Sequence, residues 1–205
     1  MKSMMTFRFP AALALLAAPL IASCGPYLPL EGVVIDTSTG KPLSDAFVIS
    51  QWTTQGGDGV GSRLGCPKVD VVKADGQGRY RFSGGFTSVL YGDYRVVFAY
   101  KAGYDPDSSK PFNNELVQMK PFKGTDDERA KSFGSYGSLR ACRSSEDLVK
   151  ILTPLYTALD EEAATLVVTP SPFFRPGSFM FSLRQIEGAR EDERRFEEEQ
   201  KRRRR

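Results

Sequence analysis

Between Glu31 and Lys120 short runs of β-branched and aromatic residues alternate with turn-forming clusters and loops, a pattern that leaves room for short strands but not for long helices. The clusters are Thr37-Ser38-Thr39-Gly40-Lys41-Pro42, Asp75-Gly76-Gln77-Gly78 and Lys101-Ala102-Gly103-Tyr104. The stretches between them carry β-branched and aromatic residues. Gly32–Ile35 and Leu43–Trp52 read as two strands joined in a hairpin. Residues 54–65, rich in glycine, read as a flexible loop. Cys66–Ala74 follows as a strand with Val69, Val71 and Val72. Arg79-Tyr80-Arg81-Phe82 alternates polar and aromatic, as a half-buried strand does. Tyr94–Tyr100 is a further strand, and Leu116–Met119 a short closing one. This pattern predicts a mainly β fold of the sandwich type.

Three motifs in order carry a resemblance. Gly32-Val33-Val34-Ile35-Asp36 with Thr39-Gly40-Lys41-Pro42-Leu43 and Asp45-Ala46-Phe47-Val48 is the first. Ala74-Asp75-Gly76-Gln77-Gly78-Arg79-Tyr80-Arg81-Phe82 is the second. Tyr94-Arg95-Val96-Val97-Phe98 followed by Ala102-Gly103-Tyr104 is the third. Together they resemble the carboxypeptidase regulatory-like domains over residues 31–120. The resemblance implies a transthyretin-like, immunoglobulin-like β-sandwich of about seven strands. The long insert at 53–68 departs from the simplest form of that pattern. Transthyretin-like folds include hydroxyisourate hydrolases, whose sites use His and a C-terminal Tyr-Arg-Gly-Ser. This chain has no His and ends in Arg residues.

The second half changes period. Ser144-Ser145-Glu146-Asp147 reads as an N-cap with acidic residues in the first turn. Leu148, Ile151, Leu152, Leu155, Tyr156 and Leu159 then recur at helical spacing. Pro154 lies within this run. It either kinks one helix or sits at the first position of a second helix capped by Thr153. Residues 162–168 continue the helix or form a short strand. The 121–183 segment is expected to pack on the sandwich. Phe173, Phe174, Phe179 and Phe181 either strap the sandwich closed or form an exposed contact site. Residues 184–205 mix both charges, with Glu197–Lys201, Glu198–Arg202 and Glu199–Arg203 at i,i+4 spacing, and read as a solvated helix.

The first 23 residues read as an address. Lys2 and Arg8 precede an apolar run from Phe9 to Ala22, too short to be a permanent membrane span. Ile21-Ala22-Ser23-Cys24-Gly25 follows, and it resembles the lipobox of bacterial lipoproteins. That resemblance implies that the Cys24 sulfur takes a diacylglyceryl group bearing palmitate-type chains and that cleavage makes Cys24 the new N-terminus. Each buried CH₂ contributes about 0.8 kcal/mol, so two or three chains hold a protein on a membrane. Gly25 stands where inner-membrane retention uses Asp, so the resemblance favours an outer-membrane anchor facing the periplasm. Residues 24–30, with Pro26 and Pro29, read as a tether.

Two cysteines remain, Cys66 and Cys142. In an oxidising compartment an even remainder reads as one disulfide, closing a loop of about 77 residues, for which chain entropy gives about 4 kcal/mol. No CxxC motif or His accompanies them, so a zinc site is disfavoured. The absence of His also removes Ser-His and Cys-His pairs. Ser38-Thr39-Gly40-Lys41 matches S-x-x-K, but in a turn and not at a helix start. The glycines of 56–65 open no helix and lack a P-loop lysine. Asp75 reads as a turn residue rather than a Ca²⁺ ligand. The expectation is no catalytic residue, no cofactor and no metal. The net charge of +3 gives no reason to expect nucleic acid. The expected partners are the membrane, through the Cys24 lipid, and an envelope protein. The alternative is a carbohydrate-binding module that stacks sugars on Trp52, Tyr80 and Tyr91.

Overall fold

A computed structural model of the chain describes residues 25–57, 62–87, 94–110, 113–142, 148–168 and 177–203. It contains nine strands: β1 Gly25–Tyr27, β2 Leu30–Asp36, β3 Phe47–Gly57, β4 Ser62–Lys73, β5 Arg79–Phe82, β6 Gly85–Thr87, β7 Tyr94–Tyr100, β8 Tyr104–Pro106 and β9 Leu116–Pro121. Four α-helices follow: α1 Asp126–Ser132, α2 Gly134–Gly137, α3 Leu148–Ala163 and α4 Ser178–Arg203. A 3₁₀ turn, Ser138–Ala141, continues α2.

Seven strands form two sheets, ordered β5-β2-β9-β8 and β4-β3-β7; β1 and β6 make a separate two-stranded ribbon. All described pairings are antiparallel except β2 with β9, where Val33–Asp36 lies beside Leu116–Met119. The expected hairpin between the first two strands does not form. β2 and β3 lie in different sheets, and the turn between them carries the chain across the sandwich. Asp36 builds that turn, accepting from Ser38 N (2.8 Å) and Thr39 Oγ1 (3.0 Å). The four residues of the S-x-x-K match are thus ordinary turn residues held by an Asx bond.

The two sheets enclose one core, built around Val34, Val48, Phe82, Val97, Ala99 and Met119, each at most 2 % exposed. The turn before β5 closes over it. Gly78 has φ +70° there, and a Cβ on it would stand 2.7 Å from the Val34 carbonyl oxygen. No L-residue fits that position without displacing backbone.

The β4-β3-β7 sheet is buried on its second face as well. Along β3, Val48 turns to the inter-sheet core, while Phe47 and Ile49 turn to the helices. A second core gathers Ile49, Val69, Tyr100, Phe133, Leu152 and Tyr156 with the start of α4. The architecture is therefore mixed, sheet on sheet on helices. A mainly β description understates it, because the helical layer covers the second face of the β4-β3-β7 sheet.

Three further expectations change. Residues 54–65 are not a loop throughout. β3 and β4 run on as one hairpin to Gly57 and Ser62, with a register shift after Trp52, where pairing with β7 ends at Thr53. The insert is strand because each of its backbones supplies the other's hydrogen-bonding partners. Residues 24–30 are not a free tether, because β1 pairs Gly25–Tyr27 with Gly85–Thr87. The charged helix begins at Ser178, not Arg184, and its first turns bury Phe179 and Leu183.

Pro154 sits inside a single continuous α3, so no second helix starts there. After α3 the chain turns, and residues 166–168 form no strand. The expected N-cap at 144–147, together with Phe173 and Phe174, lies outside the described residues.

Candidate functional site

Strand direction gives the sandwich two ends. β2 begins, β3 leaves the sheet, β5 finishes and β7 begins at the same end, where the ribbon β1–β6 also lies. Leu30 stands opposite Phe82, and Trp52 opposite Arg95. The Arg95 guanidinium bridges the two sheets there, with its carbon 5.0 Å from the Phe82 ring and 5.8 Å from the Trp52 ring. Its Nε donates to Ser50 Oγ at 2.6 Å. Asn114 fastens the neighbouring edge. Its Oδ1 accepts from Val97 N (3.0 Å), and its Nδ2 donates to the Arg95 carbonyl (3.2 Å).

Tyr80 donates its hydroxyl to the Asn114 carbonyl oxygen. Burial pushes that hydroxyl up to about 12, with Arg95 opposing and Glu115 adding, so it serves as a fixed donor. The Tyr80 ring is 4 % exposed. Expected as a sugar-stacking ring, it is instead a core residue packed edge-on against Phe82, with centroids 5.8 Å apart. Trp52 is half-buried beside Arg95. The two described residues of the expected stacking platform therefore present no shared open face, and Tyr91 lies outside the described residues.

The opposite end is polar. Asp107 accepts from Thr37 Oγ1 (2.8 Å) and Ser109 Oγ (2.6 Å), and pairs with Lys120 at 3.6 Å. The bonds from Ser109 and Thr37 pull its carboxyl down to about 2. Asp75 accepts from Gln77 N and Arg79 N and pairs with Arg79 Nε at 2.9 Å. It acts as the turn aspartate the sequence indicates. Among the described residues no group of three or more His, Cys, Asp or Glu is placed to hold a metal ion.

Nothing in the strand pattern points to the third cluster. Arg129 of α1 is 3 % exposed. Its Nε and Nη2 grip both oxygens of Glu162 from α3 (2.8 and 2.9 Å). Its Nη1 meets Asp105 (2.6 Å) and the Tyr104 carbonyl (2.8 Å). The rings of Phe133 and Phe122 lie 5.0 and 5.4 Å from its guanidinium carbon. Burial opposes its charge, but Glu162 and Asp105 outweigh that, and its pKa rises. Glu162 also accepts from Tyr100 Oη (2.8 Å) and Gly103 N (2.9 Å). One guanidinium thus ties α1, α3 and β8 together.

One signal was available. Thr125-Asp126-Asp127-Glu128 is a capping box, with Glu128 N donating to Thr125 Oγ1 (3.3 Å) and Thr125 N donating to Glu128 (2.7 Å). It marks α1 and would have put Arg129 on a helix.

Cys66 and Cys142 are joined in a disulfide, with Cα atoms 4.4 Å apart. It fixes the end of the 3₁₀ turn to β4. Asp160 of α3 makes a further tie, accepting from Gly177 N, Phe179 N and Met180 N (3.1, 3.3 and 2.9 Å) at the start of α4. A side chain from another helix thereby satisfies donors that an N-cap would otherwise take.

Cys24 lies outside the described residues, one position before β1. Among the described residues no helix is long and apolar enough to cross a membrane. The chain matches no protein-family model, no curated protein and no solved structure.

Proposed function

We propose that the protein is a lipid-anchored component of the bacterial cell envelope, held at the outer membrane through Cys24 and facing the periplasm. Its folded part is a transthyretin-like sandwich enlarged by a helical layer. It works as a structural or binding accessory to an envelope protein, not as an enzyme. The observation that carries this reading is Ile21-Ala22-Ser23-Cys24 at the end of the apolar run that starts at Phe9. The Cys66–Cys142 disulfide supports it, since such bonds persist in oxidising compartments. The two-sheet core supports the sandwich assignment, because the three motifs of the resemblance fall on β2 with its turn, on β5 with its turn, and on β7 with its turn.

The test is labelling with a palmitate analogue in a Gram-negative host, followed by membrane fractionation, for the natural chain and for Cys24→Ala. The reading expects label and outer-membrane recovery for the first and loss of label for the second. A label-free natural chain processed to an ordinary secreted form would contradict it.

A further inference from the structure

We propose that the β1–β6 end of the sandwich seats directly on the lipid surface, with Leu28, Trp52 and Tyr94 at the headgroup level. This rests on the reading that Cys24 carries lipid. The argument begins with chain length. Consecutive Cα atoms are about 3.8 Å apart, and a free seven-residue tether would let the domain rise roughly 23–25 Å. That freedom is missing. Gly25 is already paired with Thr87, Pro26 with Phe86 and Tyr27 with Gly85, and β2 starts at Leu30. An acyl chain on Cys24 is therefore attached one residue from the fold.

The surface at this end suits that position. Leu28 is 82 % exposed and Tyr94 is 48 % exposed. Tyr94 stands opposite Thr53, one step beyond Trp52. Trp and Tyr favour the interface between headgroups and acyl chains, where an apolar ring and a polar tip are both accommodated. The charged pairs along the adjacent strands are neutralised, Arg81 with Glu31 at 2.8 Å and Lys68 with Asp70 at 3.1 Å. The far end carries paired, exposed charges as well, Asp45 with Lys73 at 3.0 Å and Asp75 with Arg79 at 2.9 Å. What sets the β1–β6 end apart is the pairing of Gly25 with Thr87, one residue from Cys24, together with the exposed Leu28 and Tyr94.

The experiment uses the full lipidated protein, purified from membranes and reconstituted into phosphatidylcholine–phosphatidylglycerol vesicles with acyl chains brominated near the headgroup. Trp52 is the chain's one tryptophan, so it reports by itself. Leu28→Trp and Gln77→Trp, each in a Trp52→Phe background, place the reporter at the two ends, both at exposed positions. Seating expects quenching of about twofold or more at Trp52 and Leu28→Trp, and none at Gln77→Trp. Equal quenching at both ends, or none at either, overturns it. The same samples are weighed by mass spectrometry. Lipid present on Cys24 without quenching at Leu28→Trp removes the seating and leaves the anchor. Absence of lipid on Cys24 removes both.

Discussion

The two cores of this molecule share one sheet and are held in different ways. The inter-sheet core is closed by alternation. Every second residue of β2, β3, β5, β7 and β9 turns inward, and the turns at Asp36 and Asp75 set where each strand starts. The sheet–helix core uses the opposite faces of β3, β4 and β7, and it is fastened by separate ties: the Cys66–Cys142 bond, the Arg129 cluster and the Asp160 cap. The difference follows from chain order. Strands of the sandwich are bound to one another by ladders along their length. The helices reach the sheet across non-local connections, so local polar and covalent links fix their position.

Removing the disulfide tests this most strongly. Cys66→Ser with Cys142→Ser should lower stability by about 4 kcal/mol in urea unfolding. Amides of α3 should lose exchange protection before those of β2 and β5. Simultaneous loss would merge the two cores into one unit. Arg129→Ala comes next. It leaves Glu162 facing a buried site without its cation and should cost about 3 kcal/mol. Tyr100 and Gly103 keep their bonds to Glu162, so a pure loosening of α1 alone would show that the hub is less shared than its geometry says.

Gly78→Ala strikes the other core. The positive φ and the Val34 carbonyl make it cost about 2 kcal/mol. Because β3 and β7 serve both cores, protection should fall in sheets and helices together, unlike the two preceding variants. The smallest effect is electrostatic. The Asp107 pKa is held at about 2 in the fold, below the ordinary carboxylate value. Its contribution is complete above that ordinary value of about 4 and is lost as pH falls through about 2. Asp107→Asn should therefore flatten part of the acid limb of a thermal-stability profile. An unchanged limb would place that proton uptake elsewhere.

The sequence made the sandwich legible where pattern and turn chemistry agree. Arg79–Phe82 and Tyr94–Tyr100 are read at their observed bounds, because alternation and flanking glycines act locally. The partners of β2 were not legible. A short loop invites a hairpin, and only the packing of two sheets sends β2 and β3 apart. The glycines of 54–65 pointed to a loop, although most of that stretch is strand in a hairpin that supplies its own ladder. The pairing of the Gly25–Tyr27 tether with β6 could not be seen, since both segments are three residues long and weakly patterned. In the candidate site, Cys66–Cys142 followed from cysteine arithmetic in an oxidising compartment. Arg129 did not, because a buried arginine and an exposed one have the same letter, and its partners come from three distant segments.

The central claim is the anchor at Cys24, and intact mass spectrometry of the protein extracted from membranes addresses it directly. Anchoring requires a chain that begins at Cys24 and carries the mass of a diacylglyceryl group, with or without a third acyl chain. A chain beginning elsewhere, or an unmodified Cys24, would contradict it.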